Sequence, residues 1–291
     1  MSETNVPFWK MNGLGNEIIV ADMRSLGLKI SADAAVALDR QPDTKFDQIM
    51  EVHASGNPDI DASIRILNSD GSEAEACGNG TRCVVSWLHG ENAKEHWLFK
   101  TAGGLLNSTY AGDTRISVDM GVPKFGWEEI PLEEDFADTT GIELQVGPID
   151  DPILHTPSVA NIGNPHCVFW APDDVWSYEL ERFGSMLEFH PVFPDRANIS
   201  IANVPARDRI ILRTWERGAG LTKACGSAAC AALVCAARKD LTDRKAIVTV
   251  PGGDLEIEWT DRGRILMTGP AEFEFSGKLN PVTGEFNREA G

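Results

Sequence analysis

The sequence predicts a mixed α/β (α+β) fold of two pseudo-symmetric domains, each a barrel-like antiparallel sheet around one central helix. Three observations lead to this prediction. A cysteine motif and its neighbours recur about 148 residues later, a helical pattern follows each cysteine, and short runs rich in Ile and Val surround both helices. The chain has 291 residues, which is enough for two domains that each bury a core.

The recurring motifs stand in the same order in both halves of the chain. Gly15-Asn16 is followed 148 positions later by Gly163-Asn164, and Cys77-Gly78 by Cys225-Gly226 at the same offset. Further matches at offsets of 148 or 149 are Arg65 with Arg213, Asn68 with Glu216, Gly103-Gly104 with Gly252-Gly253, Arg115 with Arg264 and Gly121 with Gly269. Colinear matches at a nearly constant offset indicate an internal duplication.

The duplication also predicts the domain boundaries. We expect residues 1–122 with 271–291 to form the half that contains Cys77, and residues 123–270 to form the half that contains Cys225. The stretch 121–141 is rich in Pro and acidic residues, which favours a linker. Since ligand sites often lie between domains, we expect the active site in a cleft between the two halves.

Two segments have the pattern of central helices. Residues 79–90 end at a glycine, and residues 227–239 are rich in alanine, contain no internal Gly or Pro and end in basic residues. Short runs of Ile and Val bounded by Gly, Asn and Asp predict strands. The predicted strands are 17–24, 46–54, 62–69, 96–101, 105–111, 114–120, 245–251, 255–261 and 264–269.

Composition and charge exclude several classes of protein. The hydrophobic content of 42% is that of a globular protein, and the net charge of −18 argues against nucleic acid or an anionic membrane as the main partner. No run approaches the 18 apolar residues of a membrane span. The start "MSETNVPFWK" lacks the basic and apolar regions of a secretory signal, so we expect a cytoplasmic protein whose six cysteines are free thiols.

Both repeated cysteines, Cys77 and Cys225, stand where a helix begins. The N–H groups and partial positive charge of a helix start favour a thiolate and bind anions such as carboxylates. Two such thiols on opposite sides of one α carbon could invert it, because one sulfur removes the proton while the other returns a proton to the opposite face. The two thiols must then hold opposite protonation states and titrate as a unit.

The other cysteines and the repeated arginines are interpreted as structural. Packing positions are predicted for Cys83, Cys167, Cys230, Cys235, Arg65 and Arg213. The six histidines are scattered without the spacing of zinc ligands, and no phosphate-binding loop is present. We therefore expect neither a metal nor a cofactor.

Six motifs in this order resemble the diaminopimelate epimerase family: "KMNGLGNE", "FDQ", "NSDGSEAEACGNGTRC", "GNPHCV", "ERGAGLTKACGSAAC" and "GPAEF". They extend from Lys10 to about Phe273, nearly the whole chain. The resemblance implies a cofactor-free isomerase that interconverts LL- and meso-2,6-diaminopimelate, a small-molecule substrate on the route to lysine and peptidoglycan. It also implies a cytoplasmic homodimer with two barrel-like domains.

The resemblance also implies the role of each site residue. Cys77 and Cys225 would exchange the proton, assisted by His166 and Glu216. Gly78-Asn79 and Gly226-Ser227 would hold the reacting carboxylate, and Arg217 beside Glu216 would bind a carboxylate with its guanidinium. The residues that would orient the amino and carboxylate groups are Asn16, Gln48, Asn68, Asn164 and Asn198. Paired amides at Asn16 and Asn164 are also what a shared cleft for a zwitterionic ligand needs.

Some residues depart from the family pattern, and other functions compete with this one. Glu17-Ile18 stands where Asp-Phe is usual, Asn12 where His is frequent, and Phe275 where a tyrosine associated with dimer contacts is frequent. A proline or hydroxyproline racemase of the same fold would share the two cysteine motifs. A dithiol redox protein would use Cys77 and Cys225 without binding an amino acid, and a pure binding module would leave the duplicated thiols unexplained.

Overall fold

The computed structural model describes residues 5–289 and divides into two compact units. Unit 1 extends to Asp119 and resumes at Thr268, and unit 2 comprises Met120–Met267. The first predicted domain includes residues 1–4 and 290–291, which lie outside the described residues.

The secondary structure follows in chain order, with two short 3-10 helices at Pro42–Thr44 and Val175–Ser177. The first elements are β1 (Val6–Asn12), β2 (Glu17–Asp22), α1 (Ala32–Asp39), β3 (Gln48–His53), β4 (Ala62–Asn68), β5 (Glu73–Ala74), α2 (Gly78–Asn92), β6 (His96–Thr101), β7 (Gly104–Tyr110) and β8 (Arg115–Gly121). They are followed by β9 (Gln145–Val146), β10 (Leu154–His155), β11 (Ser158–Asn161), β12 (Pro165–Trp170), α3 (Leu180–Glu188), β13 (Asn198–Ala206), β14 (Arg209–Glu216) and β15 (Gly220–Leu221). The last are α4 (Gly226–Arg238), β16 (Lys245–Val250), β17 (Gly253–Trp259), β18 (Ile265–Pro270), β19 (Glu272–Leu279) and β20 (Phe286–Arg288).

The sheet of unit 1 contains both antiparallel and parallel neighbours. Its strands follow the order β20-β19-β1-β2-β3-β4-β6-β7-β8, and β5 pairs with β4. The pairs β2–β3 and β4–β6 are parallel. Parallel neighbours need a crossover connection rather than a tight turn. Helix α1 lies in the first crossover and helix α2 in the second.

The sheet of unit 2 repeats this plan. Its order is β11-β12-β13-β14-β16-β17, with β15 paired to β14, and the pairs β12–β13 and β14–β16 are parallel. Helices α3 and α4 lie in the two crossovers. In unit 1 Ala62 lies opposite Phe99, and in unit 2 Ile210 lies opposite Val248, at offsets of 148 and 149 residues. The predicted duplication is therefore confirmed. Each sheet also contains two parallel pairs, whereas the sequence predicted antiparallel strands.

Helices α2 and α4 each pack against several strands of their own sheet. Helix α2 contacts β1, β2, β3 and β7, and helix α4 contacts β11 to β14, β16 and β17. All nine residues from Ala228 to Ala236 are buried, so α4 is covered on every side. The predicted helices at 79–90 and 227–239 are confirmed with ends shifted by one or two residues.

Equivalent hairpins lead into β2 and β12, and each turns at a glycine. Gly15 has a φ of 82° and Gly163 has a φ of 93°, a region that L side chains rarely adopt. Asn16 and Asn164 follow these glycines directly. The repeated Gly-Asn motif therefore places one asparagine directly before the second strand of each hairpin.

The prediction that residues 121–141 form a linker is wrong. Backbone hydrogen bonds join Lys124 and Asn161, and the segment buries Ile130 and Leu132 in the core of unit 2. Trp127 and Phe136 pack against the same core. The apolar residues between the acidic ones determine the outcome, because burying them outweighs the linker-like composition around them.

Replacing Ile130 with alanine should lower the free energy of unfolding by about 2–5 kcal/mol, because it leaves a cavity in the core. Urea denaturation measures this change. Ile149 is 83% exposed in the same unit, so Ile149→Ala is a matched control and should change stability by less than roughly 0.5 kcal/mol. Similarly small effects of both substitutions would contradict the place of 121–141 in the core.

Candidate functional site

Cys77 is the N-cap residue of helix α2, directly after the short strand β5. Its backbone is extended, and its sulfur accepts a hydrogen bond from the Gly80 N–H at 3.1 Å. The thiol also donates to Gln48 Oε1 over 2.9 Å. A side chain at Gly80 would collide with Met50 of β3, so this glycine lets the helix start approach the strand that carries Gln48.

Gln48 and Asn68 lie opposite each other on the antiparallel strands β3 and β4. The Gln48 amide donates to Asn68 Oδ1 at 3.3 Å, and the Asn68 amide donates to Ser72 Oγ at 3.0 Å. The structure therefore brings Cys77, Gln48 and Asn68 together at the start of β3 and the end of β4, which lie side by side in the sheet of unit 1. The two amides form a hydrogen-bonded row beside the thiol.

Asn16 lies near the same strand ends, directly before β2. Its Nδ2 donates to Asp47 Oδ2 at 2.9 Å, and its buried Oδ1 has no hydrogen-bond partner among residues 5–289. Burial raises the pKa of Asp47, which also accepts from the Glu17 N–H. An unpartnered buried acceptor suits an N–H donor such as an ammonium group. Asp47 holds Asn16 in place, and the motif "FDQ" was the available signal for it.

Asn79 is buried in the first turn of α2 together with an arginine that the sequence did not indicate. Asn79 Oδ1 accepts from Arg82 Nη1 at 2.9 Å, and Arg82 Nε donates to the Pro270 carbonyl at 3.0 Å. Arg82 is fully buried. Arg82 thus joins Asn79 at the helix start to the Pro270 carbonyl. Its position in the motif "GNGTRC" was the sequence signal that could have found it.

Cys225 is the N-cap residue of helix α4 and is only 6% exposed. Its sulfur lies 3.5 Å from Ser227 Oγ. Burial raises the pKa of Cys225 well above its ordinary value, and the neighbouring Glu216 carboxylate raises it further. The expectation that a helix start favours the thiolate is therefore wrong for Cys225, because desolvation and a like charge outweigh the helix.

Glu216 ends strand β14 and is paired with Gly220 of the short strand β15. Its carboxylate accepts hydrogen bonds from the Cys225 thiol and from the Thr222 hydroxyl. Thr222 was missed by the sequence analysis, although it stands three residues before Cys225. The β14–β15 hairpin thus brings Glu216 and Cys225 into contact.

His166 is a fully buried, neutral histidine on β12. Its Nε2 lies 2.8 Å from Asn164 Oδ1, and its Nδ1 has no hydrogen-bond partner among residues 5–289. Burial and, as the smaller cause, the charge of Arg217 together lower the pKa of His166 to about 3. The Nε2–H therefore donates to Asn164, and Nδ1 presents an acceptor lone pair.

Asn198 lies opposite His166 on the parallel strands β12 and β13 and is 2% exposed. Its Nδ2 donates to the Pro165 carbonyl at 2.9 Å, and its Oδ1 accepts from the Arg217 N–H at 3.0 Å. Arg217 also donates through Nη1 to the Asp195 carbonyl at 2.9 Å. Asn198 therefore joins the strand that carries His166 to the loop that carries Arg217.

Of the residues interpreted as structural, the four cysteines and Arg213 are buried, and Arg65 is half-buried. Cys83, Cys167, Cys230 and Cys235 are fully buried. Arg65 pairs with the buried Glu51 at 2.7 Å. Arg213 donates to the carbonyls of Val175 and Tyr178.

Among residues 5–289, no three His, Cys, Asp or Glu side chains are grouped closely enough to hold a metal ion. Over the same part of the chain, no helix has the length and apolar character needed to cross a membrane.

Solved structures share this fold at low sequence identity. A phenazine biosynthesis protein of the PhzF family from Bacillus anthracis matches with a TM-score of 0.66 at 15% identity, covering 95% of this chain and 99% of its own. A hydroxyproline epimerase from Agrobacterium vitis matches with a TM-score of 0.62 at 13% identity, covering 94% of this chain and 91% of its own. These likenesses show the fold of the chain.

Similarity in sequence is much closer to one family. The family model for diaminopimelate epimerase matches residues 8–126 and 158–274. A diaminopimelate epimerase from Brucella anthropi is 58% identical over 287 residues, covering 99% of this chain and 96% of the relative. A diaminopimelate epimerase from Rhizobium meliloti is 58% identical over 284 residues, covering 97% and 94%. The chain therefore belongs to the diaminopimelate epimerase family.

Proposed function

We propose that this chain interconverts LL- and meso-2,6-diaminopimelate by moving the proton on one α carbon, without a cofactor or a metal. The observation that carries the proposal is that Cys77 and Cys225 cap equivalent helices in a duplicated fold. The family membership identifies the reaction class as that of an isomerase. The amides beside Cys77 and at the starts of β12 and β13 suit a substrate with two ammonium and two carboxylate groups.

The proposed reaction exchanges one proton for another. A cysteine thiolate takes the α proton from one face, and the electron pair of the C–H bond stays on the α carbon and its carboxylate. The thiol of the other cysteine then protonates the opposite face, so its sulfur becomes the thiolate. The reaction conserves charge and leaves the two sulfurs with reversed protonation states, so the pair is ready for the reverse direction.

The surroundings of Cys225 support its role as the proton donor of the resting enzyme. Its pKa is raised by burial and by Glu216, so the thiol keeps its proton near neutral pH. Cys77 is half-buried, and its sulfur accepts the Gly80 N–H, while ionisation of its thiol gives up a hydrogen bond to the neutral Gln48 amide and not to a carboxylate, which favours a base at this position. We therefore assign the first proton abstraction in the resting state to Cys77.

Substrate binding is divided between the two units. The N–H groups at Gly78-Asn79 and Gly226-Ser227 stabilise the reacting carboxylate and the negative charge that develops beside it. Arg217 binds a carboxylate. The neutral acceptors beside the reacting centre are Asn16 Oδ1 and His166 Nδ1, which suit ammonium groups. The amide residues Gln48, Asn68, Asn164 and Asn198 complete the polar lining of the proposed site.

The proposal also includes the cellular setting of the enzyme. The product would serve lysine synthesis and peptidoglycan crosslinking in the cytoplasm, and the protein would act as a homodimer. Phe275 is 9% exposed and lies edge-to-face on Phe8, 6.0 Å between ring centroids. A ring without a hydroxyl group at this position contributes packing and a cation–π contact with the Arg288 guanidinium, 4.3 Å from the ring centroid, and donates no hydrogen bond. Sedimentation velocity tests the proposed dimer.

Cys77→Ala and Cys225→Ala should each lower the turnover of LL-diaminopimelate by roughly 10²–10⁴-fold, because each removes one of the two proton-transfer groups. Polarimetry or a coupled assay measures the rate, and circular dichroism verifies folding. Cys83→Ala is the matched control, because Cys83 lies in the same helix as Cys77 and is fully buried. Near wild-type turnover in Cys225→Ala would refute the two-base mechanism.

Glu216→Gln should lower the pKa of the Cys225 thiol, because it removes the like charge that disfavours the thiolate. Thiolate absorbance near 240 nm measures the titration, and a Cys225→Ser variant identifies the Cys225 signal by subtraction. Cys83 and Cys235 both have a pKa raised to about 12 by burial, so they stay silent below pH 10. An unchanged midpoint would show that Glu216 does not act on this thiol.

In deuterated water, LL-diaminopimelate should acquire α-deuterium mainly in the meso product during early turnover. The proton given back comes from the second thiol, which has exchanged with solvent, whereas the first thiol retains the abstracted proton. Mass spectrometry of the separated isomers measures the incorporation. Equal early labelling of substrate and product would indicate a single base, and proline as a control substrate should remain unlabelled.

A further inference from the structure

The hairpin that carries Glu216 and Arg217 is fastened to helix α3 by one buried carboxylate. Glu188 is the last residue of α3 and is 3% exposed. Its Oε2 accepts from the Trp215 indole N–H at 2.8 Å, and its Oε1 accepts from the Gly218 N–H at 2.9 Å. These two donors stand immediately before and immediately after Glu216-Arg217 in the chain.

The ring of Trp215 is fixed by the same face of α3. A Cβ atom at Gly184 would lie 2.7 Å from Cγ and Cδ2 of Trp215, so only glycine lets the ring rest on the helix. Gly184 and Glu188 are four residues apart and therefore share one face of the helix. Packing at Gly184 and the hydrogen bond to Glu188 together determine where Trp215, and hence the end of β14, lies.

The opposite side of the loop is also held by groups near Glu188. Arg196 Nη1 lies 3.4 Å from Glu188 Oε1, and Arg217 donates to the Asp195 carbonyl at 2.9 Å. Asn198 accepts the Arg217 N–H at 3.0 Å. The backbone around Arg217 is thus held from two directions, and the Glu188 side chain binds on both sides of the Glu216-Arg217 dipeptide.

We propose that Glu188 is a positioning residue for the reaction: it sets the place of Glu216 beside Cys225 and of Arg217 toward the substrate carboxylate, without touching either. This inference rests on the proposed function of Glu216 and Arg217. Groups that act on a reacting centre lose efficiency steeply when displaced, and a shift of about 1 Å can lower a rate 10²-fold. A loop held only at its two strand ends would allow such a shift.

The positioning role of Glu188 requires a carboxylate rather than an amide. Glu188 Oε2 accepts the Trp215 N–H and Oε1 accepts the Gly218 N–H and Arg196 Nη1, whereas a glutamine offers one oxygen and one NH₂ group. In Glu188→Gln, either the Trp215 or the Gly218 N–H therefore faces another donor in a buried place. The hairpin then gains freedom while the volume of the side chain is unchanged.

Glu188→Gln should lower kcat/KM for diaminopimelate by roughly 10–100-fold. It should also raise the rate of amide hydrogen exchange at Gly218 and Ala219, measured by mass spectrometry in the absence of substrate. The matched control is Glu51→Gln. Glu51 is a fully buried carboxylate of unit 1 that binds Arg65 at 2.7 Å and His53 at 2.9 Å. It stands three residues after Gln48 on β3, so its side chain points to the opposite face of the strand. This control should lose stability and keep its kcat/KM.

A double variant separates positioning from general destabilisation. Trp215→Phe removes the indole donor, so a glutamine at 188 can accept the Gly218 N–H without facing a second donor. Introduced into Trp215→Phe, the Glu188→Gln change should therefore cost at least several-fold less in kcat/KM than it costs in the wild type. Equal losses in both backgrounds, with unchanged exchange at Gly218, would overturn the proposal.

The two proposals fail in different ways. If the wild-type protein does not turn over diaminopimelate, the proposed function is wrong, and the hydrogen exchange of Gly218 and Ala219 still tests the role of Glu188. If the wild type is active and Glu188→Gln keeps both its kcat/KM and its slow exchange, the role of Glu188 is wrong while the function stands.

Discussion

Two parallel strand pairs in each unit constrain the rest of the structure. Parallel neighbours cannot be joined by a tight turn, so the chain leaves the sheet, forms a helix and returns to the edge where it started. The second crossover of each unit is the central helix, α2 or α4. Because the helix begins where the chain leaves the sheet, its N-terminal N–H groups lie near the ends of the strands. Cys77 and Cys225 are the residues at that point.

The same constraint gathers the polar residues. Asn16 directly precedes one strand, Gln48 starts its parallel neighbour, and Asn68 ends the antiparallel neighbour, so all three reach one edge of the sheet. In unit 2 the corresponding edge holds His166 and Asn198, at the starts of β12 and β13. Ile199 lies opposite Trp215, which brings Glu216 to that edge as well. The motifs are far apart in the sequence, yet they converge because they occupy the same ends of adjacent strands.

The sequence was sufficient where the signal was local or repeated. The cysteine motifs, both central helices and the duplication were readable because glycine turns, alanine-rich helices and a constant offset leave direct traces. The parallel pairs and the crossover helices α1 and α3 were not, since which strands become neighbours depends on contacts between distant segments. Residues 121–141 were misread for the same reason, because their few apolar side chains pack on a core formed by other parts of the chain.

Electrostatic properties were the hardest to predict. A cysteine at a helix start suggests a thiolate, and only the burial of Cys225 beside Glu216 reverses that expectation. Asp47, Thr222 and Glu188 were missed because each acts through one hydrogen bond or two to a residue distant in space or in sequence. The repeated motifs identified the two cysteines and the paired asparagines, and the family resemblance implied the other groups proposed to meet the substrate, whereas the groups that hold them appear only in the fold.

The duplication explains the geometry of the proposed site, and the differences between the copies explain its chemistry. Two identical thiols in identical surroundings could share a single proton, but neither would be fixed as the base or as the acid of the resting enzyme. Where unit 1 has the neutral Asn68, unit 2 has Glu216, and where unit 1 has the cationic Arg82, the matching position at offset 148 is the neutral Cys230. The first replacement acts directly on Cys225, because the Glu216 carboxylate contacts this thiol and disfavours the thiolate. The proposed division of roles, with Cys77 as base and Cys225 as acid, therefore follows from a charge that unit 2 has and the matching position of unit 1 lacks.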